Sequence, residues 1–386
     1  MHVCHIITRT IIGGAQENTL LTCEGLHDRG HRVTLVAGPT SGPEGSLVPR
    51  ARGHGYEYVE VPELVRAVNP WYDARAQRQM EMLLRRLRPD IVHTHSSKAG
   101  ILGRFAAARA GVPVIVHTIH GMSFNRTQPW PVRRLYIWLE RRAARRTHAI
   151  AAVANAMIEQ TVKVGVCGRE KLLTVYSGMD VSAFTPTRYD RQTVRAAWGI
   201  PPEQPAIVVG TIARLFRKKG YEQLLPILSL VAQRDPRLRF VWVGDGAQRG
   251  EYEAELARRG LAERTTLTGL VSPARIPELL AGFDILAHSS QWEGLPRVVV
   301  QALLMQVPAV AFDIDGTPEV VRDRLTGRLI RLGEGAAFAD AIVDLAADDL
   351  ARRQYGIAGR EWCLERFDHR RMVEQIEALY ERLLAR

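Results

Sequence analysis

Four cysteines in 386 residues, none in a CxxC spacing, provide no framework for disulfides or for a thiolate metal site. Cys4, Cys23, Cys167 and Cys363 stand alone, and their expected role is as small apolar side chains in a reducing compartment. No run of about eighteen apolar residues occurs, so no membrane-crossing helix is expected; stretches such as 149–154 and 298–304 have strand or helix length. The chain does not open with a basic leader, an apolar segment and a small-residue cleavage site in that order, and the expectation is a protein not secreted by that route. Zinc-finger spacing, a glycine-flanked RNA-binding motif and a continuous basic tail are all missing, so the net charge of +11 does not point to nucleic acid. That charge is uneven: residues 1–180 hold 24 Lys and Arg against 14 Asp and Glu, and the remainder is nearly balanced.

The length is too great for one ordinary core and suits two domains. Short β-rich runs alternate with amphipathic helices, the pattern of parallel sheets covered on both faces. Strands are expected at 3–7, 32–37, 56–60, 91–94, 114–117, 149–153 and 172–175, with helices at 17–29, 72–88 and 131–146. The rhythm restarts with strands at 206–211, 239–243, 265–267, 285–287, 309–311 and 327–330 and helices at 221–233, 252–259 and 296–306. FTPTRYDRQTV and WGIPPEQPA lie between the halves and suit a connection. Met372, Ile376, Leu379 and Leu383 recur at helical spacing in a terminal helix. The expected division is 1–180, 181–365 and a helix at 366–386 returning toward the first domain. Two doubly wound, Rossmann-like α/β domains are expected to face each other across a cleft, with the carboxyl ends of their strands toward the ligand.

In the second half, AIVVGTIARL ends near Arg214 and leads into FRKKG, so Arg214, Lys218 and Lys219 emerge where an anion enters a sheet crevice. A solvated surface loop is the competing account of that cluster. FVWVGDGAQRG carries Gly244 and Gly246 at a strand end, weak as a nucleotide signal by itself. HSSQWEGLPRVVVQALL presents Ser290, Glu293 and Gly294 in a loop, with Pro296 expected in the first turn of the next helix. The amides of Gly294 and Leu295 then point at phosphate, while Glu293 and Gln301 are placed to hydrogen-bond hydroxyls; alternatively Gln301 ties two loops together and Glu293 faces solvent.

In the first half, IIGGAQ places Gly13 and Gly14 after the first strand, where the backbone can close over a substrate or simply turn. His93, His95, Lys98, His117 and His120 cluster at two neighbouring strand ends. A metal site is not expected from them, because alternation sends some of these side chains to opposite faces. WPVRRLYIWLERRAARR is basic and amphipathic, and fits either anionic lipid or a sheet-packing helix with a solvated arginine face.

Taken together, the Gly13-Gly14 turn, HTHSSKAG, HTIHG, the Arg214/Lys219 loop, EGLP and the terminal helix resemble the retaining GT-B glycosyltransferases of glycosyltransferase family four, of the bacterial glycan-assembly type, over nearly the whole chain. The resemblance implies an EC 2.4 transferase that needs no metal or other cofactor. Its donor would be a UDP- or GDP-sugar and its acceptor a glycan, a lipid-linked molecule or a small molecule, in cell-surface polysaccharide or glycoconjugate synthesis. It implies catalytic roles for His120, Arg214, Lys219 and Glu293, and donor contacts from Gly14, Gly244, Ser290, Gly294, Leu295, Gln301 and Glu319. Two departures stand out: Gln301 replaces the second glutamate of Glu-x7-Glu, and Asp315 replaces one glycine of GG-x-x-E. The first keeps open a catalytically weakened nucleotide-sugar-binding protein. The implied location is cytoplasmic, peripheral on the inner membrane face through the basic 130–146 helix.

Overall fold

The computed structural model describes every residue except 41, 43, 44, 125–127, 204, 218 and 386. Two compact units share the chain: Met1–Met179 together with Phe367–Arg386, and Asp180–Arg366.

Among the described residues the first unit holds a seven-stranded parallel sheet. Its strands are β1 (His2–Ile7), β2 (Arg32–Ala37), β3 (Glu57–Glu60), β4 (Ile91–His95), β5 (Val114–Ile119), β6 (Ala149–Ala152) and β7 (Leu172–Thr174), in the order β3-β2-β1-β4-β5-β6-β7. β1 and β4 are buried along their whole length, as expected of strands covered on both faces. One face packs under the helices Gly14–Asp28 and His369–Leu384, the other under Pro70–Leu87 and Ser97–Ala110. The terminal helix joins this unit because Met372, Val373, Ile376, Leu379 and Tyr380 form one apolar stripe. Each such side chain contributes about 1.5–3 kcal/mol by leaving water.

The second unit repeats the plan with β8 (Ile207–Ile212), β9 (Leu238–Val243), β10 (Thr265–Gly269), β11 (Ile285–His288), β12 (Ala309–Asp313) and β13 (Gly327–Arg331), all parallel and ordered β10-β9-β8-β11-β12-β13. Its core centres on Tyr221, Phe240, Trp242, Tyr252, Phe312 and Phe338.

Two expectations need correction. Within the stretch assigned to a connection, Arg191–Ala196 is helical, because the Asp190 carboxylate accepts from the Gln192 and Thr193 amides. Arg191 and Arg195 then pair with Asp284, which fastens this helix to the second unit. Pro296 is the N-cap of the helix Arg297–Leu304 and not part of its first turn.

In each sheet the chain order reverses once, between β1 and β4 and between β8 and β11. Loops leaving adjacent strands there depart in opposite directions and open a crevice at the strands' carboxyl ends, where open α/β sheets bind ligands.

Candidate active site

At the β8/β11 reversal, backbone hydrogen bonds strap the loop after β8 to the turn after β9. The Ala213 amide donates to Val243 O, Leu215 to Asp245 O and Gln248 to Leu215 O, at 3.1, 2.9 and 3.1 Å. Gly244 permits this closeness: its φ is 138°, and a β-carbon there would overlap the Ala213 carbonyl. The second-domain glycine turn thus carries the Arg214 loop. Arg214 is exposed, with its guanidinium carbon 5.2 Å from the centre of the Phe216 ring. Lys219 closes the loop; Lys218 lies outside the described residues.

The loop after β11 brings the opposite charge. Lys219 Nζ donates to Glu293 Oε1 at 2.7 Å, and His288 Nε2 lies 3.6 Å from the same oxygen. Burial pushes the Glu293 carboxyl up, but Lys219 and His288 outweigh it and hold the pKa below the usual carboxylate value. Burial pushes His288 down to about 4, so its ring is neutral near pH 7. Ser290 is buried beside them, its hydroxyl donating to Trp292 O at 3.2 Å.

Asp315 has a structural role that its sequence position did not reveal. It sits at φ 44°, in the left-handed region that short acidic side chains tolerate, and its carboxylate accepts from the Glu293 amide at 2.8 Å. The Gly316 amide donates to Gly294 O at 3.1 Å, so two bonds clamp the Glu293 loop to the turn after β12. Asp315 therefore braces Glu293. Gly294 and Leu295 precede the helix Arg297–Leu304, whose second turn carries half-buried Gln301; half-buried Glu319 ends the short helix Thr317–Glu319.

In the first unit the β1/β4 reversal is tied by hydroxyls. Thr8 Oγ1 and Ser96 Oγ share a hydrogen bond of 2.7 Å, and the Ala99 amide donates to Thr8 Oγ1 at 3.1 Å. Ser96 adopts φ 60°, the kind of local strain that collects at ligand sites. Gly13 has an extended φ of 179° and Gly14 begins the helix Gly14–Asp28, so these glycines provide a missing side chain and not an unusual backbone. Ser96, Ser97, His120 and Ser123 line a pocket at this end of the sheet.

Alternation sorts the histidines. His93, His95 and His120 share one face, and His5 of β1 joins them because it pairs with His93 across the strands. His117 faces the other way, bonded to Thr94 Oγ1 at 2.9 Å and packed where Gly100 lacks a side chain. Lys98 is engaged by Asp73 and the Ala67 carbonyl. Ring nitrogens of His5, His93 and His95 lie within 4.8 Å of one another, a spacing that permits a metal. Their geometry is that of a hydrogen-bond network: His93 contacts Tyr380 OH at 2.5 Å and Thr118 Oγ1 at 2.7 Å. It also stacks on His95 at 4.4 Å between ring centres, which sets in-plane lone pairs side by side and not toward a shared point. Sequence reasoning missed His5, and also His288, whose only signal was its place at the end of the strand ILAH.

Residues 12–183 match Glycosyltransferase Family 4, and residues 190–362 match Glycosyl transferases group 1. The chain belongs to the GT-B glycosyltransferases. Enzymes of this kind move a sugar from a nucleotide-diphosphate sugar to an acceptor, and that is the reaction of this transferase. Among its relatives is the UDP-Gal:alpha-D-GlcNAc-diphosphoundecaprenol alpha-1,3-galactosyltransferase of Escherichia coli, 28% identical over 98% of this chain and 96% of the relative. Anabaena HepE, solved with UDP and glucose, matches with a TM-score of 0.84 over 99% of both chains at 21% identity. Sucrose-phosphate synthase of Thermosynechococcus elongatus matches with a TM-score of 0.84 at 18% identity, covering 100% of this chain and 99% of that one. Both structural likenesses concern the fold. Among the described residues, no helix of the transferase is long and apolar enough to cross a membrane.

Proposed function

We propose that the transferase is a retaining, metal-independent enzyme whose donor diphosphate is received by Arg214, Lys219 and the amides of Gly294 and Leu295. The observation that carries this reading is the Lys219–Glu293 pair of 2.7 Å beside the β8/β11 reversal. Each partner satisfies the other when no donor is held. An arriving diphosphate draws Lys219 toward its oxygens and frees Glu293 to accept from sugar hydroxyls. Ser290, Gly244 and Glu319 shape the donor pocket, and Gln301 takes the ribose through a neutral amide. In the first unit, Gly14 is assigned to donor binding and His120 to the sugar being transferred. Fixed cations and helix amides provide the positive charge that a metal supplies elsewhere. Transfer then runs on one face of the sugar: the bond to the leaving phosphate lengthens, and a phosphate oxygen takes the acceptor hydroxyl's proton as that hydroxyl bonds to the anomeric carbon. No carboxylate nucleophile of the glycosidase type is required.

The E. coli relative, named for UDP-Gal and a diphosphoundecaprenol-linked acceptor, favours a UDP-sugar and a lipid-linked acceptor here, and cell-surface glycan synthesis is the setting this reading assigns. Product analysis with UDP- and GDP-sugars and with lipid-linked and soluble acceptors tests the assignment. The expected result is nucleoside diphosphate released together with a new α-linkage from an α-configured donor. Free sugar as the sole product would mean hydrolysis, and donor binding without turnover would favour the weakened binding protein that Gln301 keeps in view.

A cytoplasmic, membrane-peripheral location is part of the same proposal. The helix Trp130–Ala144 exposes apolar side chains as well as arginines: Trp130 is 66%, Leu135 53% and Trp138 49% exposed. Arg134 and Arg142 lie 4.7 and 4.6 Å from the Trp130 and Trp138 ring centres, so charge and aromatic surface are presented together. The transferase is expected to sediment with phosphatidylglycerol vesicles, and a Trp130→Ser/Trp138→Ser variant to stay largely in solution. Equal sedimentation of both proteins would remove this helix from the reading.

A further inference from the structure

Three imidazoles are joined in series at the carboxyl end of the first unit's sheet. His5 Nδ1 lies 3.0 Å from His95 Nε2, and His95 Nδ1 lies 3.0 Å from His120 Nε2. They come from β1, β4 and the residue just beyond β5, three strands that are neighbours in the sheet. His5 and His95 are buried. Burial is the main reason that both stay neutral: it holds His5 at about 3 and, with the neighbouring imidazoles, keeps His95 well below the ordinary value.

A neutral imidazole carries one N–H and one lone pair. Two hydrogen bonds in series therefore allow only two proton orders. In the first, His5 and His95 each donate from Nδ1, and His120 accepts at Nε2 with its own proton on Nδ1. In the second, every proton sits on Nε2 and the donation runs from His120 back to His5. The inner end of the chain decides between them, because His5 Nε2 is buried with no hydrogen-bond partner among the described residues. The second order would bury an unsatisfied N–H at that atom, while the first leaves only a lone pair, and orphaned buried N–H groups are the rarer of the two.

We propose that His5 and His95 are positioning residues that hold His120 as the neutral tautomer protonated on Nδ1, the minor form of histidine in water. Nδ1 of His120 is then a hydrogen-bond donor suited to a sugar hydroxyl or to an oxygen gaining negative charge. This consequence for transfer rests on the assignment of His120 to the reacting sugar; the tautomer does not, and it is measured without donor or acceptor.

Two-bond proton–nitrogen correlation spectra of the 15N-labelled protein, recorded above the ordinary imidazole pKa of about 6.5, read the tautomer directly, with the His120 signals identified by their loss in His120→Gln. The expected spectrum shows pyrrole-like Nδ1 and pyridine-like Nε2 for His120, His95 and His5. His95→Asn, whose amide can donate from the place of Nδ1, is expected to keep that pattern at His120. His95→Leu is expected to shift His120 toward the Nε2–H form and to lower kcat about tenfold with little change in the KM for donor, the size of one misplaced hydrogen bond. An Nε2–H tautomer at His120 in the unaltered protein would overturn the proposal, and so would one tautomer shared by His95→Asn and His95→Leu. The expected tautomers with an undiminished kcat in His95→Leu would leave the chain in place and instead remove His120 from the transfer step.

Discussion

Replacing Arg214 or Lys219 with alanine is expected to lower kcat/KM for the nucleotide-sugar donor by roughly 10²- to 10³-fold, the range seen when one fixed donor to a developing negative charge is lost. Arg214 is exposed and its loop is held by backbone bonds to the turn after β9, so Arg214→Ala should unfold like the parent protein. Lys219→Ala carries a second effect, since it leaves Glu293 with only His288 and the Ser290 hydroxyl to favour its ionised form. Burial then pushes the Glu293 carboxyl upward with less to oppose it. In the parent protein the folded pKa is depressed, so the stability contributed by ionised Glu293 is present above the unfolded value of about 4.3. That contribution is lost as pH falls through the depressed folded value. In Lys219→Ala it shrinks, and the variant should lose stability at a higher pH than the parent does. Steady-state kinetics over a range of donor concentrations and thermal melts across the acidic range measure both effects. Unchanged donor kinetics in both variants would refute the phosphate assignment.

Gly220→Ala is expected to be the most disruptive small substitution near the site. Gly220 adopts φ 84°, and a β-carbon there would overlap the Ser289 carbonyl at the end of β11. Left-handed strain accounts for about 1–2 kcal/mol in a residue with a side chain, and the overlap with backbone must be relieved by moving one loop away from the other. Gly260→Ala is the internal control, because Gly260 also has a positive φ, 66°, but nothing lies within 4 Å of the added carbon. Denaturant unfolding should therefore show a loss of about 1–2 kcal/mol for Gly260→Ala and a clearly larger one for Gly220→Ala. Only Gly220→Ala should also raise the KM for donor, since the displaced loop carries Lys219 away from Glu293. Equal stability losses and unchanged donor kinetics would show that this contact does not position the site.

Much of the fold was legible because both sheets are parallel and buried on two faces. Strands such as Ala149–Ala152 are continuous apolar runs set off by helix-forming segments, a signal that survives without knowledge of neighbours. Where local signals compete, legibility fell: turn-forming residues around Asp190 masked a helix that its carboxylate caps. Asp315 stood out in the sequence only as a departure from GG-x-x-E, whereas in the fold it braces the Glu293 amide. Its carboxylate direction depends on a left-handed φ that no spacing rule discloses.

Local chemistry along the chain determined the two parallel sheets, the basic loop from Arg214 to Lys219, the glycine turn at Gly244 and the terminal amphipathic helix, because each follows from residue type and short-range periodicity. Strand order was decided only by tertiary structure, and contacts between residues far apart in the chain depend on it. Pairing of β1 with β4 set His5 beside His93 and within reach of His95, and adjacency of β8 and β11 set Lys219 against Glu293. Hydrogen bonds act over about 3 Å, so partners separated by 90 or 74 positions in sequence become chemistry only once the sheets have closed.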